Sequence, residues 1–148
     1  MYLKQSDLFT GLGHNFLKET MAIAEKVPFD KGEFVFREGE AANYFFILIR
    51  GQISLLLGDP GKVVYMSVGI GEIFGCSSLI GRDTYFLSAK CEEPSVLLSI
   101  DRQKMQKILS DDVENGFIFF KQLAGALGNR LMQIYQQFSQ KAHIDVPD

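Results

Sequence analysis

The sequence predicts a mainly β fold, an antiparallel sandwich or barrel of short strands with helices at both ends, on three observations. Seven short apolar runs lie between Phe34 and Ile100: FVF, YFFILI, QISLLL, VVYMSV, EIF, TYFLSA and SVLLSI. Turn residues separate them, among them Gly32, Gly39, Gly51, Gly69, Gly71 and the stretches GDPG (58–61) and EEP (92–94). Strands at such short, regular spacing favour an antiparallel sandwich or barrel. Ahead of them the apolar spacing is helical, and after Ile100 the period changes from two to about three and a half.

Taken in order, a helix is expected from Ser6 to about Lys26, broken near Gly11 and Gly13. Phe16, Met21, Ile23 and Ala24 form its buried face, and Pro28 helps to end it. GDPG reads as a hairpin connection, with Pro60 fixing one turn angle and the flanking glycines free to take positive φ. Asp101 is a predicted N-cap for the helix RQKMQKIL. A longer helix follows from about Asp112 to Gln140.

That long helix carries an a/d seam of Phe117, Phe120, Ala124, Leu127, Leu131, Ile134 and Phe138, at alternating spacings of three and four over about three heptads. A rod on the order of 40 Å exceeds what one domain's core needs. Self-association along the seam is therefore expected, the alternative being an amphipathic helix packed on its own barrel. Gly125 and Gly128, costly inside a helix, suggest close approach by another backbone.

At 148 residues, 47% apolar and 22% charged, the chain has the size and balance of one globular domain. Thirteen phenylalanines and no tryptophan predict a core built on Phe. The net charge of -3 gives the bulk surface no attraction for nucleic acid. Residues 1–14 lack signal-peptide character, and the apolar window YFFILIRGQISLLLG is broken by Arg50, Gly51 and Gln52, so no membrane span is expected. Cys76 and Cys91 make no disulfide scaffold, which fits a cytoplasmic location. Enzyme chemistry is not expected, and neither catalytic nor metal residues are assigned. His14 and His143 stand near opposite ends, no HxxxH, CxxC, GxSxG or Walker pattern occurs, and the pairs Glu38/Glu40 and Glu92/Glu93 read as solvated turns.

The stretch FGCSSLIGRDTYFLSAK (74–90) has the shape of a phosphate-binding segment. With KGEFVFREGEAANYFFILIRGQISLLL (31–57) and GIGEIFG (69–75), it resembles the cyclic-nucleotide-binding domain over about residues 8 to 140. The resemblance implies an eight-stranded β jelly-roll barrel plus a long C-terminal dimerisation helix. It extends to CRP/FNR-type transcription regulators, whose dimer helix ends at a hinge with an apolar-Asp-Val motif. Ile144-Asp145-Val146 stands at the corresponding distance here. The expectation is a single sensor domain over 1–148: N-terminal helix and barrel at 8–100, C-terminal helices at 101–140, hinge or tail at 141–148, and no DNA-binding domain. A natural stand-alone sensor with a short tail is the alternative.

In that family, backbone N–H groups at a helix start and an arginine neutralise the cyclic phosphate, and a glutamate accepts from the ribose. The resemblance places Cys76 where the glutamate stands, Tyr85 at the arginine and Phe86 at the following small residue. Ile134 and Tyr135 stand where the bacterial cyclic-AMP receptor reads adenine with Thr-Ser. At about 1.5–3 kcal/mol per charged hydrogen bond, these losses move a micromolar binder to roughly millimolar. What remains is the scaffold of Gly71, Phe74, Gly75, Cys76, Ser77 and Ser78, with Arg82 as a substitute cation and one of Tyr85 and Phe86 facing the barrel interior. Three uses follow. The pocket takes an unidentified small effector, whether another nucleotide or an aromatic acid; or it senses redox state or a gas through a low-pKa Cys76 or a haem, with His14 as a remote candidate ligand; or it is vestigial and the chain is an interaction module. The expected partners are a second copy through the long helix, a small-molecule effector, and DNA only through a domain this chain lacks.

Overall fold

In the computed structural model, described over residues 7–67 and 69–145, with side chains over 8–67 and 69–140, a 3-10 turn (Asp7–Phe9) precedes helix α1 (His14–Ile23). Eight strands follow: β1 (Ala24–Phe29), β2 (Phe34–Phe36), β3 (Tyr44–Arg50), β4 (Ile53–Leu57), β5 (Lys62–Ser67), β6 (Ile73–Phe74), β7 (Ser88–Cys91) and β8 (Ser95–Asp101). They form two four-stranded antiparallel sheets, ordered β1-β8-β3-β6 and β2-β7-β4-β5, in jelly-roll fashion. Helices α2 (Arg102–Asp111) and α3 (Val113–Asp145) close the chain.

The run YFFILI is apolar throughout because its sheet is buried on both faces. Phe45 and Ile47 join a cluster with Phe9, Phe16, Met105, Ile108 and Phe119 from the turn and helices. Phe46 and Leu48 point the other way, into the space between the sheets, with Phe36, Leu55, Phe74 and Tyr85. The alternation is that of any strand; only its two-sided burial removes the polar half of the pattern.

Two expectations are corrected. Helix α1 ends at Ile23, and residues 24–29 form a strand antiparallel to β8, Ala24 against Ile100 through Phe29 against Ser95. Pro28 therefore belongs to the sheet, opposite Val96 on an edge strand, where its missing N–H costs no ladder bond. The run TYFLSA is a regular strand only from Ser88. Before that the chain pairs with a loop instead: the Tyr85 N–H donates to Glu40 O at 3.0 Å, and the Gly39 N–H to Tyr85 O at 2.9 Å.

Other elements form as expected. Gly58 takes φ +86° in the β4–β5 connection. Gly51 is irreplaceable in a different way: at φ +121°, a Cβ there would lie 2.7 Å from Ser95 Cα. Asp101 caps α2 by accepting the Lys104 N–H at 3.0 Å. Asp112 does the same for α3, accepting the Asn115 N–H at 3.1 Å.

Helix α3 runs past Gln140 to Asp145, so Ile144 and Asp145 are helical in backbone, while Val146 lies outside the described residues. Its inner face buries Phe119 and Leu123 fully. The seam divides. Leu127 and Ile134 are half-buried against the chain's own core, whereas Phe117, Phe120, Leu131 and Phe138 are exposed at 69%, 40%, 46% and 72%. Ala124 is exposed as well, and the Cβ positions of Gly125 and Gly128 face open space. Packing on the chain's own core thus leaves most of the seam exposed. No described helix is long and apolar enough to cross a membrane.

Candidate functional site: the pocket between the cassette and the long helix

Strand β6 delivers the chain to Gly75, which adopts a left-handed conformation (φ 71°) and opens a 3-10 turn, Cys76–Leu79. A Cβ at Gly75 would stand 3.1 Å from both Tyr44 O and the Tyr85 ring, so close approach as well as φ demands glycine. The turn is knotted internally. Gly75 O accepts from the Ser78 N–H at 3.2 Å and the Ser78 hydroxyl at 3.0 Å.

A pocket of about 120 Å³ opens beside this turn. Gly75, Cys76, Ser77, Tyr85 and Phe86 line it, with Phe36, Leu55, Ile80 and Leu87 completing an apolar wall and Arg130 entering from α3. The remaining predicted positions stand apart. Gly71 donates its N–H to Leu48 O at 2.7 Å, and Phe74 and Ser78 are buried scaffold. The Arg82 guanidinium lies 4.1 Å over the Phe86 ring, outside the lining. Ile134 packs on the cluster between the sheets, and Tyr135 is exposed.

Tyr85 sets the character of the pocket. Its ring stacks on Phe36 at 4.0 Å between centroids, and its hydroxyl donates to Tyr44 O at 2.6 Å. Burial pushes the phenol pKa up, so it stays a neutral donor. Phe86, its neighbour, is exposed, as the expected opposition of the two side chains requires.

Sequence reasoning passed over Arg130 and Glu72. Arg130 belongs to the inner stripe Phe119, Leu123 and Arg130, interleaved with the seam on one helix. One guanidinium nitrogen donates to Ile73 O at 2.6 Å, and the group lies 4.8 Å over Tyr65. Glu72 accepts from the Tyr65 hydroxyl (2.6 Å), the Ser67 hydroxyl and the Gly69 N–H (2.9 Å). Burial alone would raise its pKa. The hydrogen bonds from Ser67, Tyr65 and Gly69, helped by the Arg130 charge, outweigh burial and hold it below 4.5.

A depressed folded-state pKa stabilises the fold above the unfolded value, and that contribution is lost as the pH falls through the folded one. Glu72→Gln is therefore expected to lower stability at pH 7 by about 1.5 kcal/mol, from hydrogen bonds to a charged acceptor. The gap between variant and parent should close as the pH drops below 4.5. Denaturant melts at both pH values check this; an equal gap at both would contradict it.

The thiol expectation meets a physical obstacle. Burial pushes the Cys76 thiol up to about 11, with Arg130 only partly offsetting it, the opposite of a reactive low-pKa cysteine. Burial raises Cys91 too. Haem does not fit the residues present, since no histidine lines the small pocket and the thiol that does is held protonated. Among the described residues no group of three His, Cys, Asp or Glu is placed to hold a metal.

Two stacked sheets, a glycine-started turn and a long helix that contributes Arg130 to the pocket lining make up the site. The profile of the cyclic nucleotide-binding domain matches residues 26–112, and the chain belongs to that family. The sensor domain of the transcriptional regulator DNR from Pseudomonas aeruginosa is similar at 26% identity and TM-score 0.72, over 89% of this chain and 92% of that one. The structural neighbours include sensor domains of this CRP/FNR type. A cyclic nucleotide-binding domain from Methylobacillus flagellatus shares the fold at TM-score 0.81 and 15% identity, covering 95% of this chain and 83% of its own. Human cGMP-dependent protein kinase 2 is 30% identical over 106 residues, 69% of this chain but only 14% of the kinase. The chain thus spans about a seventh of that curated relative, and its kinase activity is not carried across.

Proposed function

We propose that this chain is the effector-sensing and dimerisation domain of a CRP/FNR-type transcription regulator, acting in the cytoplasm, with a cassette that takes a small effector other than cyclic AMP. One observation carries the reading. The charged residue lining the pocket, Arg130, comes from the helix whose outer face carries an exposed apolar seam, while Cys76 and Tyr85 line it where the resemblance puts the family's glutamate and arginine. A ligand touching Arg130 would act on the dimer helix without an intermediate element. Coupling then requires only that the effector prefer one arrangement of α3 over another. Contact with DNA would fall to a domain outside this chain, with residues 141–148 as the connection.

The internal satisfaction of Tyr85 favours a second reading, in which the pocket is filled by its own side chain and the domain is an interaction module. Both readings need the seam. Sedimentation equilibrium of the purified chain should give a dimer at micromolar concentration. A monomer up to hundreds of micromolar would overturn the dimerisation role in both.

A further inference from the structure

A second cleft, of about 470 Å³, opens where the β2–β3 loop, the loop before β7 and the start of α2 meet. It shares no lining residue with the cassette pocket. Its volume falls within the roughly 300–1,000 Å³ of sites that enclose small molecules. Its wall is polar apart from one tyrosine.

The backbone around the cleft is held in place. The Arg102 N–H donates to Asn43 O at 2.9 Å, and Nη1 of the same residue donates to Arg82 O at 2.9 Å and Ala42 O at 3.4 Å. The Ala42 N–H in turn donates to Asp83 O at 2.8 Å. These bonds use main-chain groups and one guanidinium nitrogen, so the lining side chains stay uncommitted. Among the described residues, Asn43, Asp83, Gln103 and Gln106 make no side-chain hydrogen bond. Asp101 has committed one carboxylate oxygen, as the cap of α2.

Their mixture decides what they match. The amides donate and accept, the carboxylates accept, and the remaining Arg102 nitrogens donate. Two carboxylates beside one guanidinium leave no strong charge of either sign, which favours neither a phosphate nor a polyamine. A sugar hydroxyl, at once donor and acceptor, meets all three kinds of group. Tyr44 supplies the apolar element. It lines the cleft at 44% exposure, an aromatic body with a polar tip, and matches the C–H face of a pyranose ring.

We propose that this cleft is a second binding site, for a neutral saccharide, independent of what fills the cassette pocket. Asn43, Asp83 and Gln106 hold hydroxyls, and Tyr44 stacks on the ring. The site adjoins the cassette through one residue. The Tyr85 hydroxyl donates to Tyr44 O at 2.6 Å and accepts the Tyr44 N–H at 3.3 Å. A sugar held on Tyr44 and Asp83 therefore acts on the residue that shapes the cassette pocket.

The test titrates glucose, with maltose beside it, into the purified chain and follows backbone and side-chain amide shifts. Glycerol at equal hydroxyl concentration is the control. At least one sugar is expected to move the side-chain amide signals of Asn43, Gln103 and Gln106 and the backbone signals of Tyr44 and Asp83, saturating in the millimolar range. Glycerol should give under a tenth of that response. Asp83→Ala and Gln106→Ala remove no bond of the fold, and each should weaken the sugar at least fivefold in an otherwise unchanged spectrum. Silence from both sugars, an equal response to glycerol, or saturable binding that both variants retain would overturn the proposal. So would saturable binding of spermidine or inorganic phosphate at these signals without the sugars, since it would make the ligand a charged one.

Discussion

Leu131→Glu is expected to convert the proposed dimer into a monomer, with a dissociation constant raised at least a hundredfold. Leu131 is 46% exposed on the single chain and belongs to neither buried cluster. The substitution should therefore leave the fold of each subunit intact. Burying a leucine contributes about 1.5–3 kcal/mol, and a two-fold interface contains each residue twice. Losing both copies costs about 3 kcal/mol or more, which already exceeds two decades in affinity. Two desolvated carboxylates at the seam add to that penalty. Leu127→Glu is the poorer experiment, because Leu127 also packs against its own core and its loss mixes folding with assembly. Sedimentation equilibrium of parent and variant decides the matter; an unchanged dimer would place the interface elsewhere.

Phe119→Ala is expected to have the largest effect on stability, about 3–5 kcal/mol. Phe119 is fully buried, with ring centroids 5.7 Å from Phe9 and 6.3 Å from Phe16. It is the point where α3, α1 and the N-terminal turn meet, and removing it leaves a cavity that rigid neighbours on three elements cannot fill. Thermal unfolding of the variant should fall by on the order of 10 °C. A loss under 1 kcal/mol, about a third of the expected minimum, would show that α3 is not anchored there. Since this anchor presents the seam, the variant should also dimerise more weakly, and in a heat-dependent way.

The architecture was legible where a local pattern had a single cause. The strand runs other than TYFLSA, the GDPG connection and the Asp101 cap each follow from short-range chemistry, and each formed. Strand β1 was not legible, because a helix of only ten residues runs straight into an edge strand whose Val27 and Phe29 alternate too briefly to break the helical pattern. TYFLSA failed for a different reason: its backbone bonds are satisfied by the loop at 39–42, a long-range partner the local pattern cannot name. The site shows the same division. Gly75 could be read from the sequence and its resemblance. Arg130 could not, because the seam of α3 masked a second stripe, and only the position of the sheets tells the two apart. Arg82 stood in the right loop, yet its guanidinium rests on the outer side chain Phe86.

The central claim is that Cys76 and Tyr85 have removed this cassette from the service of cyclic nucleotides. A calorimetric titration of the purified chain with cyclic AMP, and with cyclic GMP beside it, tests it most directly. The account predicts no heat of binding until roughly millimolar nucleotide, the affinity left when two charged contacts are lost. Saturable heat at micromolar concentration from either nucleotide would contradict it, and would mean that the turn at Cys76–Leu79 and Arg130 hold a cyclic phosphate without the family's glutamate and arginine.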